Sequence, residues 1–571
     1  MTLFAYRMHV TPISPVHIGA GESYEPTNYV IEDGWLHEFD TGAVLAALAA
    51  PDRKALLDIG NRSPNEEMVK ALQRFFHERK DRLIPYSIAS IPVPPAIDRF
   101  YRSRVGQTAN LEADGGQVIN RLEVDRTAFD SVARRPVLFG SSLKGAMRTA
   151  ILNAANAGRP SAERKGLHDF QAGLLGYLNG RRWDLELDPL RLLQPSDAHC
   201  SPAAAPASEV LLAVNRKKAP VTDADGTLRR SQAETKDLFQ TLECVLPWQH
   251  RAFVGQLNVQ HPDGVAAVDS KGVRRIPEQS RWPNVQSLAS ACNDFYIARF
   301  DAEMKVLRER GLVDEAWDAA TSTVVQAIAG QQSSGRIFLL RVGRHSGAES
   351  VTVDGVRKIK IMTGKGQPPK EERAAKTLWL AAERKDQQQG LLPFGWVIVE
   401  LEPLDEPVLA EPTLEQHCRS RSDHVESLRA KLRLIQAQLA ERRLAAELER
   451  KTELEALARQ VDEAAQTARL EAERVAAMAA MTANLRLVEE FKDACSRRLG
   501  ELRGGKERLN EGIHNRARQI ARTALESPDW TAGEKLAAAI AIEEWLPKLI
   551  ERIDMKDERK KLKLSALKPA P

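Results

Sequence analysis

Cysteine is scarce in this sequence, with five residues among 571 and no two of them close together. An odd and scattered set does not form a disulfide framework and suits a reducing compartment, so we expect a cytoplasmic protein. The sequence also contains no C-x-x-C or H-E-x-x-H motif. Because these spacings are typical of zinc sites, the sequence predicts neither a bound metal nor a cofactor.

Long hydrophobic runs and a strong charge imbalance are lacking as well. No apolar run approaches about 18 residues, the length of a short membrane-spanning helix, and the N-terminal residues lack the apolar segment of a signal peptide. We therefore expect neither export nor membrane insertion. The formal net charge is only +4, so the composition does not by itself indicate nucleic-acid binding. An RNA site would have to be a local basic stripe.

The segment FGSSLKGAMRTA at 139–150 is the clearest functional signal. It predicts a loop that leads into a helix capped by Ser141 or Ser142. The free N–H groups of the first turn, from Gly140 through the two serines, would then form an anion site. Lys144 and Arg148 are four residues apart, so they share one helix face and could bind phosphate. The alternative interpretation is an ordinary amphipathic helix with solvated charges.

This segment resembles the signature helix of the RAMP superfamily, the RNA-binding proteins of CRISPR effector complexes. A second segment, TPISPVHIGAGE at 11–22, is similar to the first strand and His-Ile-Gly-x-Gly loop of the same proteins. Three more blocks resemble one branch, the fifth Csm subunits of type III-A complexes: LQPSDA at 193–198, FLLRVGRHSG at 338–347 and PFGWV at 393–397. The resemblance covers roughly residues 1–405.

The resemblance implies an α+β fold built from two ferredoxin-like (RRM-like) RAMP domains. The local patterns agree with an α+β class, since long amphipathic helices are mixed with strand-like runs, including a hairpin across Glu32–Gly34. We assign residues 1–260 to an N-terminal ferredoxin-like domain with helical insertions, 261–410 to a second ferredoxin-like domain, and 411–571 to a helical C-terminal extension.

The extension differs from the rest of the chain. After about Pro412 the composition changes to Ala, Leu, Glu, Arg and Gln, and apolar residues from Leu454 to Ala468 step by three and four. This heptad spacing predicts a coiled-coil arm that either folds back or packs on another chain. The pair Gly504–Gly505 would end the arm, and the spacing of Thr531 and Glu534 predicts the capping box of a later helix.

The resemblance also implies a function. We expect a non-catalytic subunit that binds the guide RNA (crRNA) of a type III CRISPR effector complex, caps the filament near the crRNA 3′ end, and supports crRNA maturation and assembly. The implied partners are the crRNA, the adjacent backbone RAMP subunit, the target RNA at the end of the complex and, as a further candidate, the small helical subunit. No membrane partner is expected.

The predicted RNA-binding residues are the glycines, serines and cations of the motif blocks. They are Gly19, Gly21, Gly140, Ser141, Ser142, Lys144, Arg148, Arg341, Arg344 and His345. Glycines let a backbone approach closely because they lack Cβ. The cations would follow phosphates without reading sequence, which a subunit that serves many guides requires. No catalytic residue is predicted.

Two other functions fit the same sequence. His17 could be the general base of a metal-independent crRNA-processing endonuclease, although the sequence offers no identifiable acid partner. The chain could also be a coiled-coil assembly adaptor for which RNA is incidental. The loop at 23–29, after the first glycine motif, contains no Asp. In the type III backbone subunits of the family that this chain resembles, an Asp in that loop cleaves target RNA. The resemblance therefore does not imply target-RNA cleavage by this chain.

Overall fold

A computed structural model gives the structure of the chain. It describes residues 2–568 with short internal gaps. The gaps are 107–121, 161–166, 180–181, 205–206, 228, 232–233, 235–237, 266–267, 269–271, 273, 332–334, 362–366, 407–409 and 503.

The chain divides into two compact units, Met1–Ala445 and Ala446–Pro571. Helices and antiparallel sheets both contribute to the first unit, whereas the second is helical, so the predicted α+β class is confirmed. All five cysteines are buried free thiols. Among the described residues, the helices are all too short or too polar to cross a bilayer.

A seven-stranded sheet forms the centre of the first unit. Its strands are β1 (Thr2–Pro12), β7 (Val137–Leu138), β10 (Leu193–Pro195), β11 (Ala198–Cys200), β14 (Phe253–His261), β15 (Ile337–Arg341) and β20 (Trp396–Pro403). The order is β15-β20-β1-β14-β11-β7, and β10 also pairs with β14. Strand β1 is antiparallel to β14 on one side and to β20 on the other. The N-terminal strand therefore depends on residues from two distant parts of the chain.

A six-stranded sheet lies in the same unit. Its strands are β2 (Gly19–Tyr24), β6 (Val124–Thr127), β12 (Ser208–Lys217), β13 (Phe239–Val245), β18 (Thr377–Ala382) and β19 (Leu392–Pro393). The order is β19-β18-β12-β13-β6-β2. Residues before and after position 260 contribute strands to both large sheets, so the predicted domains 1–260 and 261–410 share their sheets. Their boundary stays a prediction.

The remaining strands of the described residues form three smaller sheets. They consist of β3 (Tyr29–Glu32), β4 (Trp35–Phe39) and β5 (Ser87–Pro92); of β8 (Leu178–Asn179) and β9 (Arg182–Trp183); and of β16 (Ile359–Ile361) and β17 (Lys370–Glu372). The predicted hairpin is present between β3 and β4. Its two turn residues, Asp33 and Gly34, have φ angles of 49° and 76°. Positive φ at both central positions is the requirement of a tight type I′ hairpin turn.

The helices of the first unit are α1 (Thr41–Ala47), α2 (Ala50–Gly60), α3 (Glu66–Glu78), α4 (Lys80–Leu83), α5 (Pro95–Arg104), α6 (Gly140–Asn156), α7 (Leu167–Leu175), α8 (Val285–Glu309), α9 (Glu315–Gly330) and α10 (Pro412–Ser420). Helices α6 and α8 pack together, and the Tyr296 hydroxyl of α8 donates to the Ala146 carbonyl of α6 at 3.1 Å. Asn293 connects α8 to the sheet, since its amide donates to the Ile337 carbonyl and accepts from the Leu339 N–H. These contacts fix the signature helix against the sheet.

The long helix α11 (Ser422–Ala480) begins in the first unit and continues into the second without interruption. The second unit also contains α12 (Ala483–Glu501), α13 (Gly512–Glu526), α14 (Ala532–Leu549) and α15 (Met555–Lys561). Helices α12 to α15 enclose a core of their own, with Phe491 and Ile542 among its buried residues. The predicted capping box of Thr531 and Glu534 is present at the start of α14.

Candidate nucleic-acid interface

Two glycine-containing loops that are more than 300 residues apart in sequence lie in direct contact. We call residues 17–21, which lead into and begin strand β2, the first glycine loop, and residues 343–347 the second glycine loop. The Arg344 N–H donates to the His17 carbonyl at 2.8 Å. Gly343 has a φ of +81°, and a Cβ at this position would lie 2.3 Å from the same carbonyl oxygen. Only glycine permits this approach, so the sequence requires it there.

The second glycine loop presents a cation and an aromatic pair beside this contact. The Arg344 guanidinium lies 2.5 Å from the Asp125 carboxylate, and 43% of its side chain is exposed. The His345 imidazole stacks on Trp379, with ring centroids 4.8 Å apart and planes at 25°, and its Nε2 lies 3.0 Å from Gln240 Oε1. Burial, followed by the charge of Arg344, lowers the pKa of His345 to about 4. The imidazole is therefore neutral at pH 7.

His17 belongs to the interior rather than to the surface of the first glycine loop. Its side chain is fully buried, and its Nδ1 donates to the Glu243 carbonyl at 2.8 Å. Its Nε2 consequently carries a lone pair and has no hydrogen-bond partner among the described residues. Burial lowers the pKa of His17, and the hydrogen bond to Glu243 opposes that shift. Gly19 lies close to this nitrogen, since a Cβ there would be 3.6 Å from Nε2.

The signature helix is capped differently from the prediction. Helix α6 begins at Gly140 itself, Phe139 is the flanking residue without a side-chain cap, and Ser141 and Ser142 lie inside the first turn. The Gly140 N–H donates to Asp197 Oδ1 at 2.7 Å. The prediction that a serine caps this helix is therefore wrong. The carboxylate of Asp197, from the LQPSDA segment at 193–198, already occupies part of the anion position at the helix N-terminus, where the helix dipole favours negative charge.

Lys144 and Arg148 share one face of α6 as expected, but they differ in their surroundings. Arg148 lies 3.3 Å from the Asp188 carboxylate and also donates to Gln171 and to the Tyr177 hydroxyl. Lys144 is half-buried and has no ion pair within 4 Å among the described residues. Burial lowers the pKa of Lys144; the Asp188 charge opposes this shift and Arg148 adds to it. Lys144 is thus the freer of the two cations.

Arg341 does not lie on the surface. Its guanidinium donates to Glu303 Oε1 and to the Phe394 carbonyl, each at 2.9 Å, and the two charged side chains are only 5% and 6% exposed. Trp396 Nε1 donates to the other oxygen of Glu303 at 3.0 Å. The prediction that Arg341 contacts RNA is wrong, because the guanidinium is used inside the core.

The structure therefore divides the predicted site residues into groups. The first glycine loop, Arg344 and His345 are brought together, whereas Lys144 and Arg148 lie together on one face of α6. Trp379 is a residue that the sequence analysis did not identify. Strand alternation offered a signal, since its neighbours Leu378 and Leu380 are buried on the opposite side of β18 while Trp379 is only partly buried. Its stacking partner lies more than 30 residues away, and no local pattern reveals that contact.

Residues 9–204 match the model of the RAMP superfamily. The resemblance that the motif blocks carry is thus confirmed for this part of the chain, which is RAMP-like.

Solved structures similar to the chain include two of Csm subunits. One is a chain of a Csm–crRNA–target RNA ternary complex of a type III-A CRISPR-Cas system, with 16% identity and a TM-score of 0.40, covering 69% of this chain and 100% of that chain. The other is the crystal structure of T. onnurineus Csm5, with 15% identity and a TM-score of 0.37, again covering 69% and 100%. No curated protein matches the chain at a significant level.

Proposed function

We propose that this chain is a non-catalytic crRNA-binding subunit of a type III CRISPR effector complex, which caps the filament near the crRNA 3′ end and supports crRNA maturation and assembly. One observation carries the proposal: two glycine loops from distant parts of the first unit meet, and Arg344 and the His345–Trp379 pair lie at this contact. Glycine loops allow a backbone to approach, arginine binds phosphate, and aromatic faces stack on bases of any sequence.

The sheet supports this interpretation. Within the seven-stranded sheet, the four strands in the order β20-β1-β14-β11 are antiparallel neighbours. Helix α6 follows β1 and helix α8 follows β14 in sequence. This corresponds to the strand order 4-1-3-2 of a ferredoxin-like βαββαβ unit, a frequent platform for single-stranded RNA. We include a second ferredoxin-like unit in the proposal on the basis of the family resemblance.

The surroundings of His17 favour binding over cleavage. A general base must come within hydrogen-bond reach of the substrate hydroxyl. The His17 imidazole is fully buried, and its Nδ1 is used by the Glu243 carbonyl. The ring therefore contributes to the support of the first glycine loop, and the endonuclease alternative has the weaker physical basis.

The partners in this proposal are the crRNA, the adjacent backbone RAMP subunit and the target RNA at the end of the complex, in the cytoplasm. The small helical subunit is a further candidate partner for the extension at 411–571. In this proposal Gly19, Gly21, Lys144, Arg344 and His345 contact RNA. Ser141 and Ser142 remain proposed RNA contacts, whereas Gly140 and Arg148 hold the signature helix in place through Asp197 and Asp188.

The salt dependence of RNA binding tests the proposal. We would titrate the full chain with a single-stranded RNA of guide length at several salt concentrations. Each lost phosphate contact reduces the slope of log K against log salt by about 0.7 for a single strand. We expect that change for Arg344→Ala and for Lys144→Ala, and about twice that change for the double variant. The matched control is Arg308→Ala. Arg308 is an exposed arginine of α8 that pairs with Asp318 of α9, and its variant should keep the wild-type slope.

The RNA from the same titration distinguishes the alternatives. Intact RNA with reduced slopes supports the proposed role. If all variants keep the slope of the control, neither Arg344 nor Lys144 contacts the RNA. Cleavage at one position without divalent ions, lost in His17→Ala, would establish the endonuclease instead. Two results together would favour the coiled-coil adaptor. The wild type would bind RNA no more tightly than an unrelated basic protein, and deletion of 411–571 would abolish assembly.

A further inference from the structure

Helix α11 exposes a regular row of apolar side chains within the second unit. Beyond residue 445 the helix is solvent-exposed over almost its whole length. Leu454, Leu457, Val461 and Val475 are 55%, 57%, 61% and 58% exposed. Scattered exposed apolar residues are ordinary, but a row that repeats on one helix face indicates a binding surface.

The row follows one heptad register from 454 to 479. We call it the α11 seam. Its a positions are Leu454, Val461, Ala468 and Val475, its d positions are Leu457, Ala464, Glu471 and Met478, and its e positions are Ala458, Ala465, Ala472 and Ala479. Apolar a and d positions are the contact surface of a coiled coil, and the neighbouring e positions usually carry charges that select the partner. Here the e row carries none.

We propose that the α11 seam pairs with the same seam of a second copy of this chain, in antiparallel orientation. This inference goes beyond the proposed RNA-binding role and does not depend on it. An antiparallel pair with its two-fold axis near Gln466 places Leu454 opposite Met478 of the second copy and Leu457 opposite Val475 of the second copy. The large residues at one end thereby meet the large residues at the other, and the alanines meet at the centre.

The charges in and beside the α11 seam favour pairing with a second copy in the antiparallel direction. In a parallel pair in register, Glu471 would face Glu471 of the second copy inside the seam, and like charges brought together out of water repel. In the antiparallel pair each Glu471 faces Val461 of the second copy, and Arg474 of its own helix lies 3.9 Å from it. The flanking Gln460 faces Arg474 of the second copy, so no like charges meet across the flanks. The seam is complementary to itself about its centre.

The mass of the full chain in solution tests the pairing. By sedimentation equilibrium we expect a concentration-dependent dimer for the wild type and a monomer for Leu457→Glu, which places a charge within the seam. The matched control is Leu470→Glu, since Leu470 lies on the same helix, is 67% exposed and is outside the seam. This variant should remain a dimer, and all three proteins should show the same far-UV circular dichroism.

Crosslinking tests the direction. All native cysteines are buried, so an introduced thiol dominates the reaction with a short bifunctional maleimide. Ala465→Cys lies at the proposed axis and should give a crosslinked dimer. Ala472→Cys is six residues from Gln466, so its two thiols would be about 18 Å apart along the helices and should not crosslink. A wild-type monomer at every soluble concentration, a dimer unaffected by Leu457→Glu, or equal crosslinking of the two thiols would overturn the proposal, and so would a monomer that binds only another helical subunit.

Discussion

The buried pair of Arg341 and Glu303 gives the sharpest stability prediction. Replacing Arg341 by Met leaves the Glu303 carboxylate in the core with Trp396 Nε1 as its remaining side-chain donor. Removing one partner of a buried ion pair typically costs about 3–5 kcal/mol, because the other charge stays desolvated and unpaired. At an m value of about 3 kcal/mol/M, this lowers the urea midpoint by about 1–1.7 M.

The matched control is Arg344→Met. That arginine is also part of an ion pair, with Asp125, but both side chains are at least a third exposed. Exposed ion pairs contribute about 0–1 kcal/mol, so the midpoint should change by a few tenths of a molar at most. We would follow urea unfolding of the full chain by tryptophan fluorescence, to which the buried Trp396 contributes.

A rescue variant separates loss of charge from loss of packing. In Arg341→Met combined with Glu303→Gln, neither side chain of the pair is charged, and the amide oxygen can still accept from Trp396. We expect this double variant to recover more than half of the lost midpoint. Equal midpoints for Arg341→Met and Arg344→Met would refute the reasoning, and so would a double variant that is no more stable than Arg341→Met alone.

Two further predictions concern a glycine and a carboxylate. Gly343→Ala should lower the melting temperature more than Gly21→Ala; both glycines have positive φ, but the new Cβ meets a backbone oxygen at 2.3 Å only at 343. A smaller effect at 343 would contradict the close contact. Burial tends to raise the pKa of Glu400, but the nearby His250 imidazole and the hydrogen bonds and charge of Arg251 outweigh it and hold the pKa at about 2, against an ordinary 4.5. A depressed carboxyl pKa contributes stability that is complete above pH 4.5 and is lost as the pH falls towards 2, about 3 kcal/mol in all. Unfolding free energies measured across that range should therefore fall less steeply in Glu400→Gln, and an identical slope would count against this pairing.

The α+β class, the hairpin at Asp33 and the capping box at Thr531 were predictable because each depends on residues close in sequence. A turn needs two adjacent residues that tolerate positive φ, and a capping box needs two residues three apart. The family resemblance supplied the remaining expectation, and the match over 9–204 confirms it for that part of the chain.

The errors in the candidate site share one physical cause, which is contact between residues far apart in sequence. Arg341 was expected to contact RNA as a cation of the FLLRVGRHSG block, but its partner Glu303 lies 38 residues away on α8. The serines of the signature helix satisfy the preference for N-cap residues, yet Asp197, 57 residues away from Gly140, supplies the carboxylate. Local propensity cannot reveal such partners.

The central position of β1 has a consequence for how this chain is made. During synthesis, β1 emerges long before β20, which begins only at Trp396. At about 5–20 residues per second, translation leaves one edge of β1 without its final neighbour for roughly 20–80 s. An open strand edge is a template for pairing with other chains. The nascent protein thus has a defined period in which strand β1 needs protection. A product that terminates before β20 is complete would keep this edge of β1 open.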